Sequence, residues 1–231
     1  MANGVLVVGP SGSGKSTAIR NLDPAQTFII APDKKSLPIK GWRNIYKTVR
    51  KDDGKVDMDK TNYLEISDPN QIISVLNYIS GKRPEIKVVV IDTISHIMTS
   101  EFIKKAKQAG YQKFTDLAVD IYNICQTIAT MREDITVFVT GHTEVDIDAD
   151  GGKITRLRTI GKMLNEKVTV ESLFTVVLFT SIDLKDTTNP YGFETQTNGS
   201  STAKSPFGMF ESLRIPNDYA YVLTKISEYE S

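Results

Sequence analysis

A single cysteine, Cys125, in 231 residues excludes an internal disulfide framework, so the fold must be held by its core. That residue stands in an apolar helical stretch, where a buried free thiol is the expected state. Charge of one sign is missing too: 28 Lys and Arg face 28 Asp and Glu. The chain is therefore no polycation, and contact with nucleic acid has to rely on local patches. No run approaches 18 apolar residues, and the opening MANGVLVVGPSGSGKS shows no basic-plus-apolar leader. Neither membrane insertion nor export is expected, and a reducing cytoplasm is. Internal repeats and long linkers are absent, so residues 1–231 are expected to form one domain. Its parts are a core over 1–142 and a hairpin, late strands and closing helix over 143–231. With 40% hydrophobic and 24% charged residues, wholesale disorder, collagen-like repeats and a coiled-coil rod are excluded.

Short β-branched runs bounded by turn residues recur along the chain: Gly4–Val8, Thr27–Ala31, Tyr63–Ile66, Lys87–Ile91, Ile135–Thr140 and Phe174–Thr180. Runs of this kind are the signature of a covered, mostly parallel sheet. Between them, Asp68-Pro69 reads as a helix cap followed by proline at the first helical position, with Ile72, Ile73, Leu76 and Ile79 on one face. Phe114, Leu117, Ile121, Ile124 and Ile128 form a second stripe. The alternation predicts an α/β fold with helices on both faces of the sheet. Later, Val145–Asp148 and Lys153–Arg158 read as a hairpin about an Asp-Gly-Gly turn. The span 180–206 reads as loop with short strands, and Pro216-Asn217-Asp218 as the start of a closing helix.

Gly9-Pro10-Ser11-Gly12-Ser13-Gly14-Lys15-Ser16 is a full G-x-x-x-x-G-K-[ST] match between an apolar strand and a predicted helix over 16–21. Glycines let the backbone close on phosphates with successive N–H groups turned inward, and a helix N-terminus adds partial positive charge. Gly9 to Ser16 and Thr17 are thus the candidate ATP-binding residues. Lys15 is placed at the β/γ-phosphates and the Ser16 hydroxyl on Mg²⁺. Asp92, ending the run Lys87–Ile91, is the second candidate metal ligand.

Missing pieces narrow the class. No glycine follows Asp92 as in a GTPase switch, no [NT]-K-x-D guanine-reading sequence exists, and L-S-G-G-Q is absent. With Asp33 after Thr27–Ala31, Asp92 at its strand end and Thr140-Gly141-His142 after a further strand, the chain resembles the RecA core, and a RecA-like P-loop NTPase fold is what that implies. The resemblance implies a general base, for which Asp33 is the candidate with Glu65 and Glu144 as rivals. It also implies a γ-phosphate sensor at His142, where this sequence has Gly-His in place of Asn-Gln. Ala203-Lys204-Ser205-Pro206 is similar to the lysine-bearing late strand that completes a neighbouring subunit's site, so Lys204, with Lys162 as competitor, is a candidate contact in a homo-oligomer or filament. Thr195–Gly199 and Ala203–Phe210 resemble the same segment of short phage-encoded RecA-core ATPases that anneal single strands. That likeness implies a DNA-stimulated Mg-ATPase in phage-type recombination, working on single-stranded DNA with a single-strand-binding protein as a further partner.

Two stretches suit DNA. Residues 34–55 hold eight basic and two acidic residues, with Trp42 and Tyr46 interleaved, and residues 153–167 hold five basic and one acidic. Basic charge attracts phosphates, and aromatic rings stack on unpaired bases. Asp146-Ile147-Asp148-Ala149-Asp150-Gly151 imitates an EF-hand start, but Leu157 stands where its bidentate acid belongs. Asn198-Gly199-Ser200 matches a glycosylation acceptor that a chain without a leader does not use. The alternatives to a DNA-linked ATPase are a small nucleoside or nucleotide kinase, with Arg156 and Arg158 as lid arginines, and a nucleotide-gated protein-interaction module.

Overall fold

The structure, a computed structural model, describes residues 3–108, 110–147, 151–161 and 163–231. In chain order these form β1 (Asn3–Val8), a 3₁₀ turn (Thr17–Asn21), β2 (Thr27–Ile30), α1 (Trp42–Ile45), β3 (Tyr63–Leu64) and α2 (Pro69–Lys82). Next come β4 (Val88–Ile91), α3 (Ile94–Lys104), α4 (Gln112–Ala129) and β5 (Thr136–Gly141). The last part holds the pair β6 (Thr143–Ile147) and β7 (Lys153–Leu157), then β8 (Val176–Ile182), β9 (Tyr191–Glu194), β10 (Arg214–Pro216) and α5 (Tyr219–Glu230). A π-helical turn (Met163–Val168) and a 3₁₀ turn (Val170–Leu173) lie between β7 and β8.

Eight strands form one sheet in the order β10-β9-β8-β1-β5-β4-β2-β3. It is parallel from β8 to β3, with β9 and β10 added antiparallel at one edge. This is the mostly parallel α/β arrangement expected from the strand runs. Parallel strands demand cover on both faces, and the side chains supply it by simple alternation. Leu6, Val8, Phe28, Ile30, Val89, Ile91, Val137 and Val139 point to the face covered by α2, α3 and α4. Val5, Val7, Ile29, Val88, Val90 and Phe138 point to the other, where α5 and the 3₁₀ turn pack. Each such buried side chain contributes roughly 1.5–3 kcal/mol of burial free energy.

Local chemistry sets the helix boundaries. The Asp68 carboxylate accepts from the Asn70 and Gln71 N–H groups at 3.1 Å, with Pro69 at the first helical position. Asp218 accepts from the Ala220 N–H at 2.9 Å to open α5. Cys125 is buried in α4 and burial pushes its thiol up to about 12, so it is a packing residue at neutral pH.

Register brings the chemistry to one edge. Val8 lies beside Gly141 of β5 and Phe179 of β8, and Ile91 lies beside Ile30 and Val139. The chain leaving β1, β2, β4 and β5 therefore reaches one end of the sheet, where ligands of parallel α/β folds bind.

Several expectations need correction. The helix expected over 16–21 is only a five-residue 3₁₀ turn with no side-chain cap. Charge at the loop thus comes from its own N–H groups more than from a helix dipole, which needs aligned turns to build up. The run Tyr63–Ile66 pairs over only two residues, at the sheet edge. The span 180–206 is more ordered than expected, since β8 extends to Ile182 and β9 adds to it. Asp148, Ala149 and Asp150 of the hairpin turn, and Lys162, lie outside the described residues.

Candidate nucleotide-binding site

The glycine-rich loop is shaped by contacts that leave no room for side chains. A Cβ on Gly9 would lie 1.9 Å from Thr180 Oγ1 and 2.6 Å from Ser13 Oγ. Gly14 sits at φ +98°, and a Cβ there would approach Asn217 Nδ2 at 2.9 Å. Ser13 donates to the Pro10 carbonyl at 2.7 Å and accepts from Thr180 Oγ1 at 2.8 Å. Arg20 donates to the Asn217 carbonyl at 2.6 Å, and Asn21 to Asp218 at 2.6 Å. The loop is thus braced on one side by β8 and from beneath by the segment leading into α5.

Lys15 curls over this loop, its Nζ donating to the Gly9 and Pro10 carbonyls at 2.7 Å each. Burial pulls its ammonium down to about 8, against the attraction of Asp92 and with a smaller push from Lys35. At neutral pH it remains charged.

Asp92 is the hub. Ser16 Oγ donates to its Oδ2 at 2.5 Å and Thr140 Oγ1 to its Oδ1 at 2.6 Å. Thr93 Oγ1 in turn donates to the Thr140 carbonyl at 2.8 Å, so the ends of β4 and β5 are tied together. The His142 N–H donates to Ser95 Oγ at 2.9 Å, at the start of α3. Burial, then Lys15, Arg158 and Lys35, hold the imidazole below its ordinary value, with Asp92 opposing. His142 is therefore neutral at pH 7.

These groups line one cleft of about 260 Å³. Ser11, Gly12, Gly14, Lys15, Ser16 and Thr17 line it together with Asp33, Lys35, Asp92 and His142. Gly9, Pro10 and Ser13 shape the loop and do not line the cleft. Asp33 is in a turn and in the cleft at once: its carboxylate accepts from the Lys35 N–H at 3.2 Å and pairs with the Lys35 ammonium at 3.2 Å.

The rival acids stand elsewhere. Glu65 is exposed beside Tyr63, whose hydroxyl donates to it at 3.4 Å. Glu144 lies on β6, 3.6 Å from Arg156. Neither lines the cleft. Lys204 is also outside it, half-buried and paired through its backbone with Val177 of β8 at 2.8 and 3.0 Å. Burial lowers its ammonium and Glu171 opposes that shift.

Sequence reasoning missed Thr140 as an Asp92 partner, and missed Ser95, Thr180 and Asn217 as supports. Only Thr140 carried a signal, as the polar residue before Gly141-His142. The hairpin expected over 145–158 is present, and Arg156 on it pairs with Glu144 and Asp146. In the basic stretch 34–55, Tyr46 is 3% exposed and belongs to the core, so it cannot stack on bases. Trp42 is half-buried, packed on Tyr63 at 5.0 Å with the Arg43 guanidinium 5.0 Å from its ring.

Residues 1–207 match the model of the AAA_24 family, described as an AAA domain. The chain belongs to this AAA domain family. Membership makes it a P-loop ATPase by family, in agreement with the loop and the Asp92 hub. Among solved structures it is similar to a KaiC-like protein, PH0186, from Pyrococcus horikoshii OT3, at 12% identity and a TM-score of 0.43, over 83% of this chain and 77% of that one. No curated protein matches it.

An AAA domain implies a nucleotide with a divalent cation, and the donors here fit Mg²⁺. Ser16 Oγ and Asp92 Oδ2 are hard oxygens of the kind Mg²⁺ takes, 2.5 Å apart, and would hold it. Among the described residues no group of three or more His, Cys, Asp and Glu gathers for a metal. Among those residues, too, no helix is long and apolar enough to cross a membrane.

Proposed function

We propose that this AAA domain binds Mg-ATP, hydrolyses it, and uses the cycle to bind and anneal single-stranded DNA in phage-type recombination within the host cytoplasm. The observation that carries the reading is the joint between cleft and hairpin. His142 lines the cleft, and its carbonyl accepts from the Arg158 N–H at 2.7 Å at the base of β6–β7. Gly141 beside it is packed on Leu157, whose Cδ1 would lie 2.1 Å from an added Cβ. A change in what occupies the cleft therefore bears directly on a two-stranded arm that is outside the main sheet.

In this reading Gly12, Gly14 and their neighbours turn N–H groups to the phosphates, and Lys15 leaves the loop carbonyls for the β/γ-oxygens. Ser16 and Asp92 hold the cation, which when bound neutralises charge on the phosphate oxygens. Thr140 keeps Asp92 oriented. Asp33 takes the proton of the attacking water. Lys153 and Arg158, both exposed on the arm, contact DNA phosphates, and the exposed cations of 34–55 extend that surface. Lys204 completes the site of a second copy in a homo-oligomer or filament. The nearby Phe207, 98% exposed, suits contact with that copy, and a single-strand-binding protein is a further partner.

The test is ATP hydrolysis with and without single-stranded DNA, with Lys15→Ala as control. Stimulation by DNA that disappears in the variant is the expected result. Hydrolysis indifferent to DNA keeps the ATPase and removes the annealing role. Phosphorylation of an added nucleoside replaces both with a kinase.

A further inference from the structure

We infer that Lys35 is a second phosphate-binding lysine, which exchanges its ion pair with Asp33 for the γ-phosphate of bound ATP. The assignment rests on the nucleotide-binding reading of this cleft and adds to it the group that distinguishes ATP from ADP.

The local backbone is built to place this side chain. Lys34 adopts φ +56°, a left-handed conformation uncommon for a residue with a Cβ. On either side of it Asp33 and Lys35 both line the cleft, whereas Lys34 does not. The turn is pinned at three points. The Lys34 N–H donates to the Ala31 carbonyl at 3.3 Å, the Lys35 N–H to Asp33 Oδ1 at 3.2 Å, and the Tyr63 hydroxyl to the Lys35 carbonyl at 3.4 Å.

Position decides which phosphate it meets. Lys15, Ser16 and Asp92 mark where the β- and γ-phosphates and their cation sit. Asp33, Lys35 and His142 line the same cleft as Lys15, Ser16 and Asp92, so the β/γ end of the nucleotide is the part Lys35 has beside it. Lys35 is close enough for its charge to lower both Lys15 and His142. Among the described residues its one ion pair is with Asp33, at 3.2 Å, and its side chain is 76% exposed. The ammonium end of the pair is solvated while the Asp33 side chain is 15% exposed; solvent weakens the hold on the cation, and a multiply charged γ-phosphate competes for it. The exchange leaves the Asp33 carboxylate unpaired next to the reacting phosphate, where a base is required.

Binding of ADP and of a non-hydrolysable ATP analogue, both with Mg²⁺, to the full chain separates the possibilities by calorimetry. Lys35→Ala is expected to weaken the analogue about tenfold, or ~1.4 kcal/mol, with ADP changed by less than about twofold. Lys35→Arg should restore most of the loss, because a guanidinium also binds phosphate. Equal losses for both nucleotides, or no loss for either, would overturn the assignment. If the wild-type chain binds neither nucleotide, the ATPase reading itself falls, and the two failures are thereby distinct. The Lys35 side chain is 76% exposed, so an unchanged thermal midpoint is expected for both variants.

Discussion

The ammonium of Lys15 is the residue whose chemistry most constrains how this site works. Buried to 6% exposure and pulled to about 8 from 10.5, it loses its proton more easily in the folded chain than in the unfolded one. Between about pH 8 and 10.5 the unfolded state binds more protons, so folding stability rises with pH across that window. Nucleotide binding goes the other way, because phosphate needs the charged form. ATP affinity is expected to be flat below pH 8 and to fall by up to tenfold per pH unit above it. Lys15→Arg, whose charge persists, should flatten the profile; titration calorimetry across pH 7 to 9.5 checks both. The same residue shows what is legible in sequence. Gly9 to Ser16 are neighbours in the chain, so their motif is visible at once. Thr140 and Ser95 reach Asp92 and His142 across nearly fifty residues, and Asn217 reaches Gly14 across the whole chain. Single polar residues at such separations leave no local pattern. Asp33 was readable only as one of three acids, and its place in the cleft separates it from Glu65 and Glu144.

Elements with a strong period or a cap were readable, and those without were not. For α2, Asp68, Pro69 and the apolar face Ile72, Leu76 and Ile79 all point the same way. Its cap also has a neighbour, Lys104 at 3.6 Å. Asp68→Ala is expected to cost about 1 kcal/mol, seen as a lower urea midpoint at constant m-value. By contrast α3 went unread, since its buried side includes Ser95 and Glu101, which interrupt the apolar stripe. The Thr17–Asn21 turn follows a loop motif that elsewhere precedes a helix. Here Arg20 and Asn21 bond to Asn217 and Asp218 as the segment tightens into a 3₁₀ turn. Tyr46 was misread because an aromatic among lysines looks exposed in sequence, whereas α1 turns it inward toward Thr27 and the β2 face.

At the scale of the molecule, the sheet unites residues far apart in sequence: β8 runs beside β1, and β9 and β10 extend that side. Lys204 is on that side, away from its own cleft. If it serves a second copy, Lys204→Ala and Lys15→Ala proteins should each be nearly inactive alone, while a mixture recovers hydrolysis. Activity plotted against mixing ratio should then peak at an intermediate composition. Recovery fails if Lys204 acts only within its own chain.

The contacts beneath the P-loop also bear on how the protein comes into being. Gly14 and Asn217 are in contact across some two hundred residues, and Asn3 donates to Glu230 at 2.8 Å. On a ribosome the phosphate-binding strand emerges some two hundred residues ahead of its brace. All the motifs for nucleotide binding are therefore exposed to the cell long before the loop has the support that shapes it. Competence therefore waits on the docking of α5 and the segment leading into it, and a chain stalled before that point carries the signature of an ATPase without the site.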